Sequence, residues 1–174
     1  MRTSPPRKSE KPLVVTHVSL RVLTVGLTLA AACLMLTNNQ TTVVYGIEVD
    51  ARCSYASAFT FFAIANLIAC GFTVVSLFIV LILGSKAGNP IYYFYIFLHD
   101  LSITVFLMSG CGAATAVGYI GEKGNSHIGW TAVCDHFGKF CNRALVSIGL
   151  SYVGIFFYLI LTVIYAYKSR HVQV

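Results

Sequence analysis

Four long stretches of the chain are almost purely apolar, and short segments between them carry most of the charged residues. A run of about 20 apolar residues is enough to cross the roughly 30 Å hydrocarbon core of a bilayer as a helix. The pattern predicts four such helices, at about residues 13–36, 55–83, 91–119 and 144–167. Lipid excludes open sheets, and these runs are too long and continuous for barrel strands. The predicted fold is therefore all-α, an integral membrane four-helix bundle spanning residues 13–167.

The segments outside the helices complete the predicted organisation. Residues 1–12 are basic and contain three prolines without apolar periodicity, which is typical of a disordered tail. Outer loops are expected at about 37–54 and 120–143, and a short tail at 168–174. Three alanines at 30–32 resemble a signal-peptide cleavage site, but a secretory apolar core is shorter than the first run. We therefore interpret that run as the first transmembrane helix.

Composition and charge agree with a membrane protein. Of the 174 residues, 57% are hydrophobic and only 10% are charged, less than half the charged share of a soluble domain. The net charge of +6 does not indicate nucleic-acid binding, because the basic residues flank apolar runs and form no groove-sized cluster. Seven basic residues lie on the side shared by the two tails and four on the other side. This asymmetry predicts that both termini are cytosolic.

Two opposite charges lie inside the predicted helices. Arg21 is nine residues past Pro12 and Asp100 is ten residues past Pro90, so both lie about 14 Å inward from the same side. A guanidinium can hold a carboxylate with two hydrogen bonds, which offsets the desolvation of both charges. We predict an intramembrane ion pair between Arg21 and Asp100; the alternative is that Arg21 snorkels to the headgroups. His99 points about 100° away from Asp100 and is expected to face the interface or another helix.

The six cysteines divide by position. Cys134 and Cys141 share the loop 120–143, which lies in an oxidising space under the predicted orientation, and we expect a disulfide between them. Cys53 is left over and could compete for either partner or stay free. The remaining cysteines lie inside predicted helices, where a thiol behaves as a small apolar residue: Cys33, Cys70 and Cys111.

One further modification site lies on the predicted outer side. Asn39, Gln40 and Thr41 form an acceptor sequon for N-glycosylation. The sequon is only a few residues beyond the first helix, so the membrane should hinder the transferase. We expect low or no occupancy of Asn39.

Other chemistry is not indicated by the sequence. An enzyme requires a nucleophile with a base, or a metal cluster, and the five histidines are scattered without ligand spacing. We predict no catalytic residue, no metal and no cofactor. Small residues repeat at four-residue spacing on three helices, a pattern typical of close helix packing within one chain or between chains: Gly110, Ala114 and Gly118, Ser147 and Ser151, and Gly26 and Ala30.

Three segments carry a resemblance to a known family. They read RVLTVGLTLAAACLML, HDLSITVFLMSGCGAATAVGYIGEKGN and GWTAVCDHFGKFCNRALVSIGLSYVG. Together they resemble the Casparian strip membrane protein-like (CASP-like) family of plants over nearly the whole chain beyond the tail. The chain is also distantly similar to four-helix MARVEL-type membrane proteins. An Arg in the first helix with an Asp in the third is a feature of the CASP-like family, and the most specific pattern is in the loop: Trp130, Cys134, Phe137, Phe140 and Cys141.

The resemblance implies a non-enzymatic plasma-membrane scaffold that contacts membrane lipids and forms homo-oligomers or hetero-oligomers with related members. Strip-forming members carry the stretch Glu-Ser-Leu-Pro-Phe-Phe-Thr-Gln-Phe in the first outer loop, whereas this chain reads TTVVYGIEVDARCSY. The chain therefore resembles a member that does not form strips. The alternative function is a small multi-subunit transporter or channel in which Arg21 and Asp100 act along a hydrated path.

Overall fold

The computed structural model describes residues 10–44, 46–83 and 90–171. These residues contain four long helices: α1 (Glu10–Leu36), α2 (Ser57–Leu83), α3 (Pro90–Lys123) and α4 (Gly138–His171). The main contacts of α1 are with α2 and α4, and α3 packs against the same two helices. Consecutive helices are thus neighbours, while α1 and α3, and likewise α2 and α4, lie diagonally opposite.

Each of the four helices is long and apolar enough to cross a membrane, as the hydrophobic pattern predicts. Large apolar side chains remain exposed on their outer surfaces, including Phe72, Phe78 and Val105. The interior also contains apolar residues such as Phe62 and Leu107, but it is rich in buried polar groups. This distribution is the one expected when lipid, rather than water, covers the outside of a bundle.

The segment between α1 and α2 is a β-hairpin, which the sequence analysis did not predict. Strands β1 (Asn39–Val44) and β2 (Ile47–Arg52) pair antiparallel, and Gly46 takes a φ of 83° at the turn. Such a positive φ favours glycine over residues with a Cβ. We call the end of the bundle that carries this hairpin the hairpin end, and the opposite end, which carries the start of α1 and the end of α4, the terminal end.

The structure corrects several predicted helix boundaries. α3 continues to Lys123 and α4 begins at Gly138, so the predicted loop 120–143 shrinks to residues 124–137. α3 stops where Gly124 adopts a φ of 65° and packs so closely on the backbone of Trp130 that a Cβ would not fit. Hydropathy marks where a chain enters the membrane, and a helix with polar residues at its end can extend beyond that point. This explains why the sequence analysis placed the end of α3 and the start of α4 too far apart.

At the terminal end of the bundle, α1 and α4 are also longer than predicted. α1 begins at Glu10, so residues 10–12 belong to a helix and not to the predicted disordered tail. Pro12 is compatible with that position, since the first backbone N–H groups of a helix have no intrahelical acceptor. α4 extends to His171, which takes in most of the predicted tail 168–174. The predicted disorder of residues 1–9, the connection at 84–89 and the last three residues lie outside the described residues.

Candidate functional site

The structure brings Arg21 on α1 and Asp100 on α3 together across the diagonal of the bundle. Nη2 of Arg21 donates to Oδ2 of Asp100 at 2.8 Å, and Nη1 lies 3.3 Å from Oδ1. Both side chains are 0% exposed. A two-point contact of this kind holds the guanidinium and the carboxylate in one plane and satisfies charge that lipid would otherwise leave unsolvated.

Two residues from the other helices complete the surroundings of Arg21. Ser76 on α2 accepts a hydrogen bond of 2.5 Å from Nη1 of Arg21. The guanidinium also lies 5.5 Å from the centre of the Tyr165 ring on α4, a cation–π distance. All four helices therefore contribute a group to this charge, and the snorkelled position of Arg21 is not the one observed. The sequence analysis identified neither Ser76 nor Tyr165.

His99 faces another helix, as predicted, but it also contacts Asp100. Its Nδ1 lies 3.2 Å from Oδ1 of Asp100, so the two neighbours on α3 do interact. The expectation that the ring would point away from the acid is wrong, because a bent side chain can reach back over the 100° that separates adjacent residues. The ring does face another helix, as it packs edge-on against Phe72 of α2 at 5.9 Å. About 31% of the His99 side chain is exposed.

Further polar contacts continue from the ion pair toward the hairpin end. The hydroxyls of Thr73 on α2 and Tyr158 on α4 hydrogen-bond to each other. Ser151 on α4 donates to Oδ1 of Asn66 on α2 at 2.9 Å. These contacts join α2 to α4, the second diagonal of the bundle, just as the ion pair joins the first. We call Arg21, Asp100, Ser76, Thr73, Tyr158, Asn66 and Ser151 the polar axis.

The polar axis reaches the hairpin end through two side-chain bonds to backbone. Ser147 on α4 donates to the carbonyl of Ala31 on α1 at 2.7 Å. Asn38, only 1% exposed, donates to the carbonyl of Phe140 at 2.8 Å. Hydrogen bonds therefore join neighbouring helices, as Ser147 joins α4 to α1, as well as the two diagonal pairs. In lipid, hydrogen bonds and close packing supply the attraction that the hydrophobic effect supplies in water.

Only some of the small residues that repeat at four-residue spacing lie at contacts between helices. A Cβ at Gly110 would lie 3.2 Å from Cβ of Ala65, so this glycine allows α3 to approach α2 closely. Ser147 and Ser151 both face the interior. Gly26 and Gly118 have open space where a side chain would be, so neither mediates packing among the described residues.

The cysteines of the loop at the hairpin end are paired. Cys134 and Cys141 form a disulfide with Cα atoms 5.8 Å apart. Cys53 is free and buried, with its thiol 3.9 Å from the carbonyl of Leu36, so it does not compete for either partner. The bridge joins the loop 124–137 to the first turn of α4, where Phe140 packs edge-on against Phe59 of α2 at 6.0 Å.

The base of the hairpin is fixed to the same region. Oε1 of Gln40 accepts a hydrogen bond of 2.8 Å from the backbone N–H of Phe140. Asn39, the residue of the sequon, is exposed beside a cavity of about 430 Å³ that Gln40, Lys139, Asn142 and Arg143 also line. Asp50 of β2 accepts hydrogen bonds from Tyr55 at 2.9 Å and from Arg52 at 2.7 Å. The bond from Tyr55, followed by that from Arg52, lowers the pKa of Asp50.

Metal chemistry has no visible site in the described part of the chain, where no group of three His, Cys, Asp or Glu side chains could hold an ion. Arg21 and Asp100 are paired with each other, Arg21 also binds Ser76, and both side chains are fully buried. Such an arrangement holds helices together and does not expose a reactive group.

Comparison with known proteins identifies the family. Residues 10–157 match the family model of the Casparian strip membrane protein domain. CASP-like protein 1F1 of Vitis vinifera is 47% identical over 98% of this chain and 83% of its own length. CASP-like protein 1F2 of Populus trichocarpa is 43% identical over 97% of this chain and 93% of its own. No solved structure matches the chain. With a domain match across most of its length and relatives of this similarity, the chain belongs to the CASP-like family of membrane proteins.

Proposed function

We propose that this chain is a non-enzymatic plasma-membrane scaffold with both termini in the cytosol. In this proposal it associates laterally with copies of itself and with related chains, and it presents the hairpin end to partners outside the cell. The orientation is supported by the excess of basic residues near the terminal end.

The observation that carries the proposal is an uncovered apolar face at the tip of the hairpin. The strand register places Val44, Ile47 and Val49 on one face. Ile47 is 68% and Val49 is 40% exposed. Apolar side chains that project from a membrane protein into water are typical of a surface that another molecule covers. A two-stranded hairpin also leaves strand edges free for pairing with a partner.

The base of the same hairpin is held firmly. Gln40 binds the backbone of α4, and Ala51 packs against the core of the bundle. A two-stranded hairpin alone is marginally stable in water, so these contacts are what keep the apolar tip in a fixed position. A fixed apolar surface on a membrane anchor suits the recruitment of partners better than it suits catalysis.

Lateral association is supported by the outer surface of the helices. Gly26, Gly71 and Gly112 are exposed, and no atom lies within 4 Å of the position that a Cβ would occupy on any of them. Exposed glycines on membrane helices permit the backbone of another helix to approach closely. The sealed ion pair gives the transporter alternative no comparable support, because a solute has no access to Arg21 or Asp100 in this conformation.

Photobleaching recovery of a fluorescent fusion in plant cells tests the scaffold and its hairpin together. The wild-type protein should form slowly recovering patches at the plasma membrane, and Ile47→Lys should recover faster while still reaching the membrane. Val43→Lys is the matched control, since Val43 is 63% exposed but lies on the other face of the hairpin. Rapid, uniform recovery of the wild-type protein, or equal effects of the two substitutions, would contradict the proposal.

A further inference from the structure

A groove opens on the lipid-facing surface between α2 and α3. Its volume is about 380 Å³, and its walls include Ile68 and Phe72 from α2 with Ile103 and Phe106 from α3. The side chains of His99 and Ser102 are the polar members of this lining. Ser102 already donates its hydroxyl proton to the carbonyl of Leu98 at 2.8 Å. His99 is therefore the polar group that an occupant of the groove can engage.

The hydrogen bond with Asp100 determines whether Nε2 of His99 can donate or accept a hydrogen bond. Asp100 forms an ion pair with Arg21, and an ionised carboxylate can only accept hydrogen bonds. Nδ1 of His99, 3.2 Å from Oδ1 of Asp100, must therefore carry the proton of that hydrogen bond. In the neutral imidazole, Nε2 is then an acceptor. No described residue donates to Nε2, so its natural partner is a hydrogen-bond donor on the occupant.

The depth of His99 in the membrane further restricts the class of molecule that can occupy the groove. Tyr95 on α3, which is 66% exposed, marks the interface at the terminal end, since Tyr side chains favour the headgroup level. His99 lies about 6 Å inward from it along the helix. The groove then continues from His99 to Phe106, about 10 Å further toward the hairpin end. An occupant therefore needs one donor just below the headgroups and an apolar body that extends toward the middle of the bilayer.

We propose that this groove binds a sterol, whose hydroxyl donates to Nε2 of His99 and whose fused rings lie against Phe72, Ile103 and Phe106. Acyl chains and sterol esters have no donor for Nε2. Ceramides and diacylglycerols carry a donor, but their paired flexible chains would lose more conformational entropy in a short groove than a rigid ring system does. The sterol site goes beyond the scaffold function and does not depend on it.

Photo-crosslinking of the purified full chain in lipid nanodiscs tests this assignment. The probe is a sterol with a diazirine in its ring system and a free 3-hydroxyl, and peptide mass spectrometry locates the label. Label is expected on the segments around Phe72 and Phe106. An unlabelled 3-hydroxy sterol should compete about three- to tenfold better than its 3-keto analogue, which lacks the donor. This comparison uses the unaltered protein, so a folding defect in a variant cannot confound it.

Variants of His99 provide the second arm. His99→Phe keeps an aromatic ring but removes the acceptor, and it should reduce labelling about three- to tenfold. His99→Gln retains an acceptor oxygen and should recover part of the labelling, and Ser109→Ala, on α3 but outside the groove lining, is the matched control that should leave it unchanged. Equal competition by alcohol and ketone, equal competition by ceramide, or label outside the groove would each overturn the sterol site. Chain-to-chain crosslinks that replace the sterol label in the groove would assign this surface to a second copy instead.

Discussion

Ser76 on α2 accepts a hydrogen bond of 2.5 Å from Nη1 of Arg21 on α1, while the same guanidinium holds Asp100 on α3. One charged group therefore joins three helices inside the membrane. Of the guanidinium nitrogens, Nε is left without a partner among the described residues. The energetic consequences of removing each partner should accordingly differ, and they can be measured separately.

Removing either charge alone should be severely destabilising. Arg21→Leu leaves a buried carboxylate unpaired, and Asp100→Asn leaves a buried guanidinium unpaired, at a cost of about 3–5 kcal/mol in buried pairs. We expect each variant to misfold and to reach the plasma membrane poorly. The double variant Arg21→Leu with Asp100→Leu should recover much of the delivery, because no unpaired charge remains. Quantitative imaging of surface delivery measures all three.

Two further variants test whether the loss of surface delivery is specific to the ion pair. Ser109→Ala is the control on α3, since Ser109 is exposed and bonds only to its own helix at Phe106. The exchange Arg21→Asp with Asp100→Arg should recover less than the apolar double variant. The long arginine side chain would then extend from α3, where the packing fits the short side chain of Asp100. If both single variants are delivered normally, the ion pair is not required for folding.

Loss of Ser76 should be much milder. Ser76→Ala removes one neutral acceptor but keeps the ion pair, so we expect a loss of about 1 kcal/mol in the free energy of unfolding. Thermal unfolding of the detergent-solubilised protein measures this loss. Ser102→Ala removes a hydroxyl that bonds only within α3 and should leave the unfolding temperature unchanged. A loss for Ser76→Ala as large as for Asp100→Asn would mean that Ser76 is essential to the ion pair.

The approach of Arg21 to Asp100 could be anticipated because α1 and α3 enter the membrane from the same end. Residues on such helices can be compared in depth simply by counting from their entry points. Ser76 could not be found in this way, because α2 enters the membrane from the opposite end. The depth of Ser76 depends on the residue at which α2 enters, and the sequence does not mark that residue. Rotation about the helix axis, which turns Ser76 inward, is also invisible in a sequence without amphipathic periodicity.

The hairpin was missed for a different reason. The strands are six residues each, shorter than the windows that reveal membrane helices, and their charged residues at 48, 50 and 52 resemble those of a polar loop. The β-branched run Thr41–Val44, followed closely by Gly46, was the available signal for a strand and a turn.

The disulfide could be predicted with less information, since two cysteines seven residues apart in one outer loop leave few alternative pairings.

The disulfide should stabilise the loop more than the bundle. A ring of this size restricts the unfolded loop by about 2 to 3 kcal/mol in the chain-entropy model. We expect the double substitution Cys134→Ser with Cys141→Ser to increase amide exchange in residues 124–137 while the centres of the four helices remain protected. Hydrogen exchange with mass spectrometry measures the difference. Labelling of either cysteine by a thiol reagent on intact, non-reduced cells would show that the bridge is absent.

The hairpin should lose order in acid at a pH set by Asp50. Its pKa is lowered, first by the hydrogen bond from Tyr55 and then by that from Arg52. A lowered folded-state pKa means that this stabilisation is present above the ordinary Asp value of about 4 and is lost as the pH falls through the lowered pKa. Protection of the hairpin amides should therefore stay constant from neutral pH down to about 4 and decrease below it.

Tyr55→Phe provides the test of the cause. Without the phenol donor, the pKa of Asp50 should move back toward its ordinary value, so hairpin protection should be lower at neutral pH and should decrease less on acidification than in the wild-type protein. NMR titration of the Asp50 carboxyl carbon measures the pKa directly. An unchanged titration in Tyr55→Phe would assign the shift to Arg52 alone.

Asn39 should carry little or no glycan despite its sequon. It is exposed, but it lies three residues beyond the end of α1 and is paired with Arg52 at the base of the hairpin. Glycosidase treatment should leave the electrophoretic mobility of the wild-type protein nearly unchanged, as it should for Asn39→Gln. A full mobility shift that disappears in Asn39→Gln would contradict this expectation.

A second acceptor separates inaccessibility from a wrong orientation. Thr42→Asn combined with Val44→Thr creates a sequon three residues nearer the hairpin tip, about 10 Å further from the membrane. Combined with Asn39→Gln, this variant should become glycosylated if the hairpin end faces the lumen of the secretory pathway and distance alone protects Asn39. Absence of glycan from this tip sequon as well would indicate that the hairpin end faces the cytosol, which would overturn the proposed orientation together with the outward-facing partner surface.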